Sequence, residues 1–309
     1  MFSLSTSWNW AQHKNGHDLI EEIRSLGFES LELGFSLSEE IIDDLIKASC
    51  KNSLKISSVH NFCPIPCKYT AGEFLPDTFS LSSPDELQRK KAVDLTLNSM
   101  EIAKRVGAQA LIIHAGRVEI PAHTKDLIKL YNQGAKDKPV YARLQSDIKA
   151  VREKAKSAYL TAIKRSLSNL VKRAASFDLM LCIENRYYWR EIPSLSEIGE
   201  LLEEFSGSGN FGYWHDVGHA QVNDNLGLER HLDFLEKYNN YMVGMHIHDI
   251  DGTQDHLAPG AGVFDFTVLK PYLKKNTIRV LEIHQPATAA QIKAALVYLN
   301  RLGLDANLK

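Results

Sequence analysis

The sequence predicts an α/β chain closed into a (β/α)8 barrel. Short apolar runs alternate with amphipathic segments from one end to the other, which is the pattern of parallel strands joined by helices. There are eight such runs. The 309 residues also suit a barrel of about 250 residues carrying insertions, so residues 1–309 are read as one barrel domain. The alternative is an open doubly wound sheet, but no Gly-x-Gly-x-x-Gly follows the first run.

The predicted strands, in order, are Phe2–Trp8, Ser30–Gly34, Leu54–His60, Ala108–His114, Leu179–Glu184, Phe211–Asp216, Val243–His248 and Val280–His284. Each is short and rich in large apolar residues, as strands buried on both faces are. Between them lie helix signals. Ser83-Pro84-Asp85-Glu86 reads as a cap box with proline at the first helical position, opening a helix towards Arg105. Ser194-Leu195-Ser196-Glu197 opens another, with Leu195, Ile198, Leu201, Leu202 and Phe205 on one face. Gly27, Gly107 and Gly303 stand where helices should end. Two connections are long. Asn61–Pro84, after the third strand, holds several Pro, Cys and Phe residues and reads as a shaped loop over the barrel mouth. The stretch from Arg117 to Ser168 is charged and helical in pattern, an elaborated fourth connection.

Composition narrows the function. Lys and Arg number 36 against 38 Asp and Glu, a net charge of −2, so overall attraction to a phosphate backbone is not expected. Four cysteines, Cys50, Cys63, Cys67 and Cys182, are too few for a disulfide framework. Cys63 and Cys67 flank two prolines and read as part of a rigid lid, and Cys182 as core. No apolar run reaches the ~18 residues of a membrane span, and MFSLSTSWNW lacks the charged-then-apolar order of a secretory signal. The expectation is a cytoplasmic protein with no membrane contact.

Barrel enzymes place their chemistry at the C-terminal ends of strands. The predicted strands end in Trp8-Asn9, Glu32, His60-Asn61, His114-Ala115-Gly116-Arg117, Glu184-Asn185-Arg186, His215-Asp216, His246-Ile247-His248 and Glu282-Ile283-His284. Histidines 60, 114, 215, 219, 246, 248 and 284, out of 12, therefore gather at one end. Strand alternation lets Asp216 and His246 face the axis only if His215 and Ile247 face the helices. Glu184, Asp216, His246 and Glu282 then converge from successive strands. Three carboxylates and one imidazole suit a divalent metal, Mn, Co, Mg or Zn, because without a cation the carboxylates repel one another. Trp8, Asn185, Arg117 and Arg186 are candidates for substrate binding. Either arginine could grip a phosphate or carboxylate, or be a solvated loop residue. Glu32 could orient a neighbouring histidine or arginine, or be structural.

Five segments resemble the xylose isomerase-like barrels, the sugar phosphate isomerase/epimerase group. They are Ile183-Glu184-Asn185, Asp216-Val217-Gly218-His219, His246-Ile247-His248-Asp249, Asp255-His256-Leu257-Ala258-Pro259-Gly260-Ala261-Gly262 and Leu281-Glu282-Ile283-His284. The resemblance spans nearly the whole chain. It implies that Glu184, Asp216, His246 and Glu282 bind one divalent metal. It further implies that His219 contacts a substrate oxygen and that Glu184 and Glu282 transfer a proton beside a metal-bound carbonyl. The substrate would be a small sugar or related polyhydroxylated carbonyl compound, and homo-oligomers are common in the group.

The same superfamily holds the zinc-dependent apurinic-site endonucleases, which use up to three zinc ions. Candidates for the additional metal or substrate contacts here are His60, His114, His248, Asp255 and His256. Asp255 directly precedes His256, where the endonucleases have an intervening residue. His60 and His114 read equally as ligands or as hydrogen-bonded barrel-top histidines. Relative to free-ketose epimerases, Arg190 stands six after Glu184 where an acid is usual. Gly252 stands six after His246 where an arginine is usual. The expectation is an isomerase, epimerase or related lyase. The alternatives are a metal phosphoesterase acting on abasic DNA and a non-catalytic sugar-binding barrel.

Overall fold

The computed structural model describes residues 1–52, 54–69 and 74–305. Residues 70–73 of the long third connection and the side chain of Cys50 lie outside them. Eight parallel strands close into a barrel in which sequence neighbours are spatial neighbours throughout. They are β1 (Phe2–Ser5), β2 (Ser30–Leu33), β3 (Lys55–His60), β4 (Ala110–Ile113), β5 (Met180–Glu184), β6 (Phe211–Asp216), β7 (Met242–Ile247) and β8 (Ile278–Leu281). All eight predicted strands are present. The first is shorter than its hydrophobicity suggests, because the chain turns after Ser5 and Trp10–Gln12 form a 3-10 turn.

Alternation sorts each strand into two faces. Ala110, Ile112, Cys182, Trp214 and Val280 fill the barrel interior, while Leu111, Ile113, Leu181 and Ile183 pack outward into the layer beneath the helices. Register fixes which strand-end groups meet: Glu184 lies beside Trp214, and Asp216 beside His246. The β6–β7 pairing slips by one residue between Tyr213 and Trp214. At Gly244 a Cβ would collide with the Trp214 ring, so the glycine is what admits the indole beneath His246.

The helices follow local chemistry. Glu86–Val106 is capped by Asp85, whose side chain accepts from the Gln88 amide, so the cap lies two residues after Ser83, and Pro84 precedes the helix. Its far end closes on Gly107 in the left-handed region. Leu195–Phe205 starts as expected, with the Glu197 carboxylate accepting from the Ser194 amide at 2.8 Å. The elaborated fourth connection is a helix at Thr124–Asn132 followed by Pro139–Ser176, a helix of 38 residues. Its first turns reach across to the helix Val217–Asn225, where Gln145 and Lys149 donate to the carbonyls of Leu226, Gly227 and Leu228. Leu226 is the C-cap of that helix, and its carbonyl is one that a helix end leaves without a partner. The β7–β8 connection departs from the expected pattern: it carries a 3-10 helix, Phe266–Tyr272, with Pro271 inside it. A proline supplies no amide hydrogen to continue an α-helix. Among the described residues no helix is long and apolar enough to cross a membrane.

Candidate functional site

Above the interior plug, the next inward positions on the second half of the barrel are all ionisable. Glu184 stands over Cys182, Asp216 over Trp214, His246 over Gly244, and Glu282 over Val280. One donor atom from each lies within 4.8 Å of the others. The His246 Nδ1 is 2.7 Å from Glu184 Oε1, 3.0 Å from Glu282 Oε2 and 3.6 Å from Asp216 Oδ2. All four residues are buried. His215 faces the other way and meets His231 and Phe234 under the helices, as the alternation requires.

Burial by itself would push the Glu184 carboxyl up. The imidazoles of His246, His114 and His60 outweigh it and hold Glu184 well below the usual carboxylate range. Glu282 behaves alike, opposed by burial but pulled down to about 2, chiefly by His246 and His256. Burial disfavours charge on His246, yet Glu282, Glu32 and Glu184 raise it well above an ordinary imidazole. The cluster is therefore a dense set of ionised oxygens around one nitrogen, and this donor set fits a divalent cation. Glu32 comes from β2 and lies against the Nε2 of His246, and Ser58 Oγ donates to Glu32 at 2.8 Å.

The other candidate ligands surround this centre. His114 Nε2 is 2.9 Å and His60 Nε2 3.8 Å from the same Glu184 Oε2, forming a second group of donors with Glu184. Asp216, His219 and His256 form a third, and His256, Glu282 and His284 a fourth. His219 Nδ1 rests on the Asn185 carbonyl, and its Nε2 is 3.9 Å from Asp255. Asp255 also pairs with His256 at 3.2 Å; burial would lower His256, but Asp255 raises it to about 9. His248 is engaged on both nitrogens: Nδ1 accepts from the His256 amide, and Nε2 faces Asp216 at 3.1 Å. It orients a carboxylate and keeps no lone pair for a ligand. His248, His256 and His284 stack as parallel rings, with centroids 4.2 and 3.9 Å apart.

A cavity of about 350 Å³ opens onto this assembly. Of the candidates for substrate binding, Arg186 lines it, whereas Trp8, Asn185 and Arg117 are not among the lining residues. Trp8 is buried, with its Nε1 donating to the Ala287 carbonyl at 2.7 Å. Asn185 accepts from Tyr213 Oη and the Asp216 amide while donating to the Asp216 carbonyl, so it anchors the start of the helix after β6. Arg117 pairs with Glu119 at the rim.

Two charged lining residues escaped the strand-end reading. Asp77 enters from the third connection and binds Arg186 at 3.0 Å. Glu191 lies one residue past Arg190, in a short ribbon pairing Gly116–Arg117 with Glu191–Ile192, and reaches Arg186 at 3.3 Å. An acid therefore does enter the site after β5, seven residues beyond Glu184 instead of six. Both residues sit outside the barrel strands, where period-2 alternation gives no direction.

The sequence profile of the xylose isomerase-like TIM barrel family matches residues 20–302. The chain belongs to that family. A relative, the uncharacterized protein MJ1614 of Methanocaldococcus jannaschii, is 26% identical over 252 residues, covering 79% of this chain and 84% of that protein. A D-tagatose 3-epimerase-like protein superposes with a TM-score of 0.69 at 20% identity, covering 99% of this chain and 98% of that one. The TTHB071 protein from Thermus thermophilus, in a crystal soaked with zinc chloride, superposes with a TM-score of 0.58 at 21% identity, covering 98% of each chain. At these identities the two structures share the xylose isomerase-like fold with this chain.

Proposed function

We propose that this barrel, read as one domain over its whole length, is a metal-dependent isomerase or epimerase acting on a small sugar or similar polyhydroxylated carbonyl compound. The observation that carries the reading is the meeting of two glutamates from different strands, Glu184 and Glu282, on the same His246 nitrogen at 2.7 and 3.0 Å. Glu184, Asp216, His246 and Glu282 would hold one divalent ion, Mn, Co, Mg or Zn. Such an ion polarises a carbonyl oxygen and acidifies the neighbouring C–H. Both glutamates are held ionised, the form in which a carboxylate accepts a proton, so one would remove the carbon-bound proton and pass it to solvent, while the other, after taking up a proton from water, would deliver one to the carbon. His219 presents its Nε2 to a substrate oxygen, its ring fixed by the Asn185 carbonyl. The free cysteines Cys63, Cys67 and Cys182 suit a reducing cytoplasm. The test is exchange of a ketose's carbon-bound hydrogen with deuterated water. Glu184→Gln and Glu282→Gln should each abolish exchange with the fold intact by circular dichroism. Retained exchange in both variants would sink the reading.

A second reading, a metal phosphoesterase such as an abasic-site endonuclease, is favoured by one observation. Glu184 and Asp216 each belong to a further donor group, with His60 and His114 and with His219 and His256 respectively. Against it stands the Arg186 guanidinium, 3.4 Å from the Glu184 oxygen that His60 and His114 share, a cation where a second metal would sit. Metal content per chain decides: near one ion supports the isomerase, and near three zinc ions with cleavage of abasic duplex DNA supports the phosphoesterase.

A further inference from the structure

Building on the isomerase reading, we infer that the substrate of this site is an uncharged polyol carbonyl compound, not a sugar phosphate or sugar acid. The charges lining the cavity are unequal: among the described residues Asp77, Glu184, Glu191, Asp255 and Glu282 face a lone guanidinium, Arg186, and no lysine lines it. The charge of Arg186 is already matched, although its Nε is buried without a hydrogen-bond partner among the described residues. Its amino groups bind Asp77 at 3.0 Å, Glu191 at 3.3 Å and Glu184 at 3.4 Å, so it ties the third connection to β5 and offers no net positive charge to an anion.

The other usual anion grips are closed as well. Arg117 pairs with Glu119 and does not line the cavity. The helix Val217–Asn225 starts at the metal-ligand cluster, where its N-terminus would attract a phosphate. That end is capped by Asp216, which accepts from the His219 amide at 2.7 Å. The rim imidazoles His219 and His256 both lie against Asp255.

Besides the Arg186 Nε–H, what the wall offers is acceptors. Asp77 Oδ1 and His114 Nδ1 are buried and face each other at 3.5 Å, an ion pair when His114 is protonated, and among the described residues neither has a well-aligned hydrogen-bond partner. A buried carboxylate oxygen whose one contact is long and poorly aligned is costly, and a ligand hydroxyl would give it a proper donor. A phosphate dianion has no proton to give and meets the carboxylates with like charge.

Calorimetric binding of matched pairs tests this: D-fructose against D-fructose 6-phosphate, and D-ribulose against D-ribulose 5-phosphate. Each pair is measured on the protein as purified and after chelation, which removes the attraction of a bound metal for phosphate. Free sugars should bind at least tenfold tighter than their esters in both states. Asp77→Asn, which removes one like charge and loosens Arg186, should narrow the gap at least threefold. An ester that binds as tightly as its free sugar in either state overturns the inference, as does failure of every free sugar to bind. An ester isomerised faster than its free sugar would also overturn it and leave the isomerase reading standing. A free sugar that binds tenfold tighter than its ester but is never isomerised would sink the isomerase reading and still support an uncharged ligand.

Discussion

Both carboxylate oxygens of Glu32 lie 3.2 Å from the Nε2 of His246, on the side of the ring facing away from Glu184 and Glu282. Glu32 comes from β2 and His246 from β7, so the contact crosses the barrel interior. Assigning the Nε2 proton to this hydrogen bond makes Nδ1, which faces the three carboxylates, the nitrogen that would ligate a divalent ion once its own proton is displaced. Ser58 Oγ holds Glu32 in turn. A carboxylate behind a ligating imidazole raises its basicity and fixes its orientation. Glu32→Ala should therefore weaken divalent-metal affinity by roughly 10- to 100-fold. Glu32→Gln, whose amide oxygen still accepts, should cost less. Titration with Mn²⁺ or Co²⁺ reads both, and unchanged affinity in Glu32→Ala would show that the contact is idle.

Gly218 is the second residue of the helix after β6, and a Cβ there would land inside the imidazole of His248. That ring cannot retreat easily, because it is stacked on His256 and bound to Asp216. Gly218→Ala should cost about 1–3 kcal/mol in stability and also reduce metal affinity by displacing Asp216. Urea denaturation alongside metal titration checks it. A loss of stability without a loss of affinity would show that His248 does not position Asp216.

Arg152, in the middle of the 38-residue helix, is buried and binds both oxygens of Glu197 at 2.6 and 2.7 Å. Glu197 also accepts the Ser194 amide, so the pair joins that helix to the start of the helix after β5. Arg152→Met should destabilise by about 3–5 kcal/mol, because it strands a buried carboxylate. The double change Arg152→Met with Glu197→Leu should recover part of that loss in urea melts. A single variant within about 1 kcal/mol of the parent would show that water reaches Glu197.

Glu229 gives a pH signature outside the metal-ligand cluster. Burial pushes its carboxyl up to about 7, with the Leu195 amide and Arg152 only partly opposing. The folded chain therefore holds a proton that the unfolded chain releases near pH 4.5. This stabilisation is fully present below about pH 4.5 and lost as pH rises through 7. Glu229→Gln keeps an acceptor for the Leu195 amide without the charge. Its stability relative to the parent should climb between those pH values, by up to about 3 kcal/mol. Paired melts at pH 4.5, 6 and 8 measure the difference, and a constant offset across them would mean Glu229 ionises freely.

Much of the site was legible because strand alternation is a local rule. Glu184, Asp216 and His246 are the last inward residues of their strands or one place from the end, and period-2 counting finds them without knowing what lies across the barrel. Glu282 follows β8 by one residue and keeps the same phase. The connections escaped for the opposite reason. Asp77 and Glu191 reach the cavity through loop and ribbon geometry set by distant packing, and no period points to them. His248 shows the same limit, since its strand-end position suggested a ligand and both its nitrogens proved engaged.

The sequence alone determined the barrel, its eight strands, their order and the donor types at their ends, because apolar periodicity and strand polarity are written locally. Tertiary structure decided how those donors are used. It set Glu32 behind His246, closed three carboxylates around Arg186 and capped the helix after β6 with Asp216. Electrostatic roles depend on distances between residues far apart in the chain. The same arginine is an anion grip when unpaired and a strut when three carboxylates surround it.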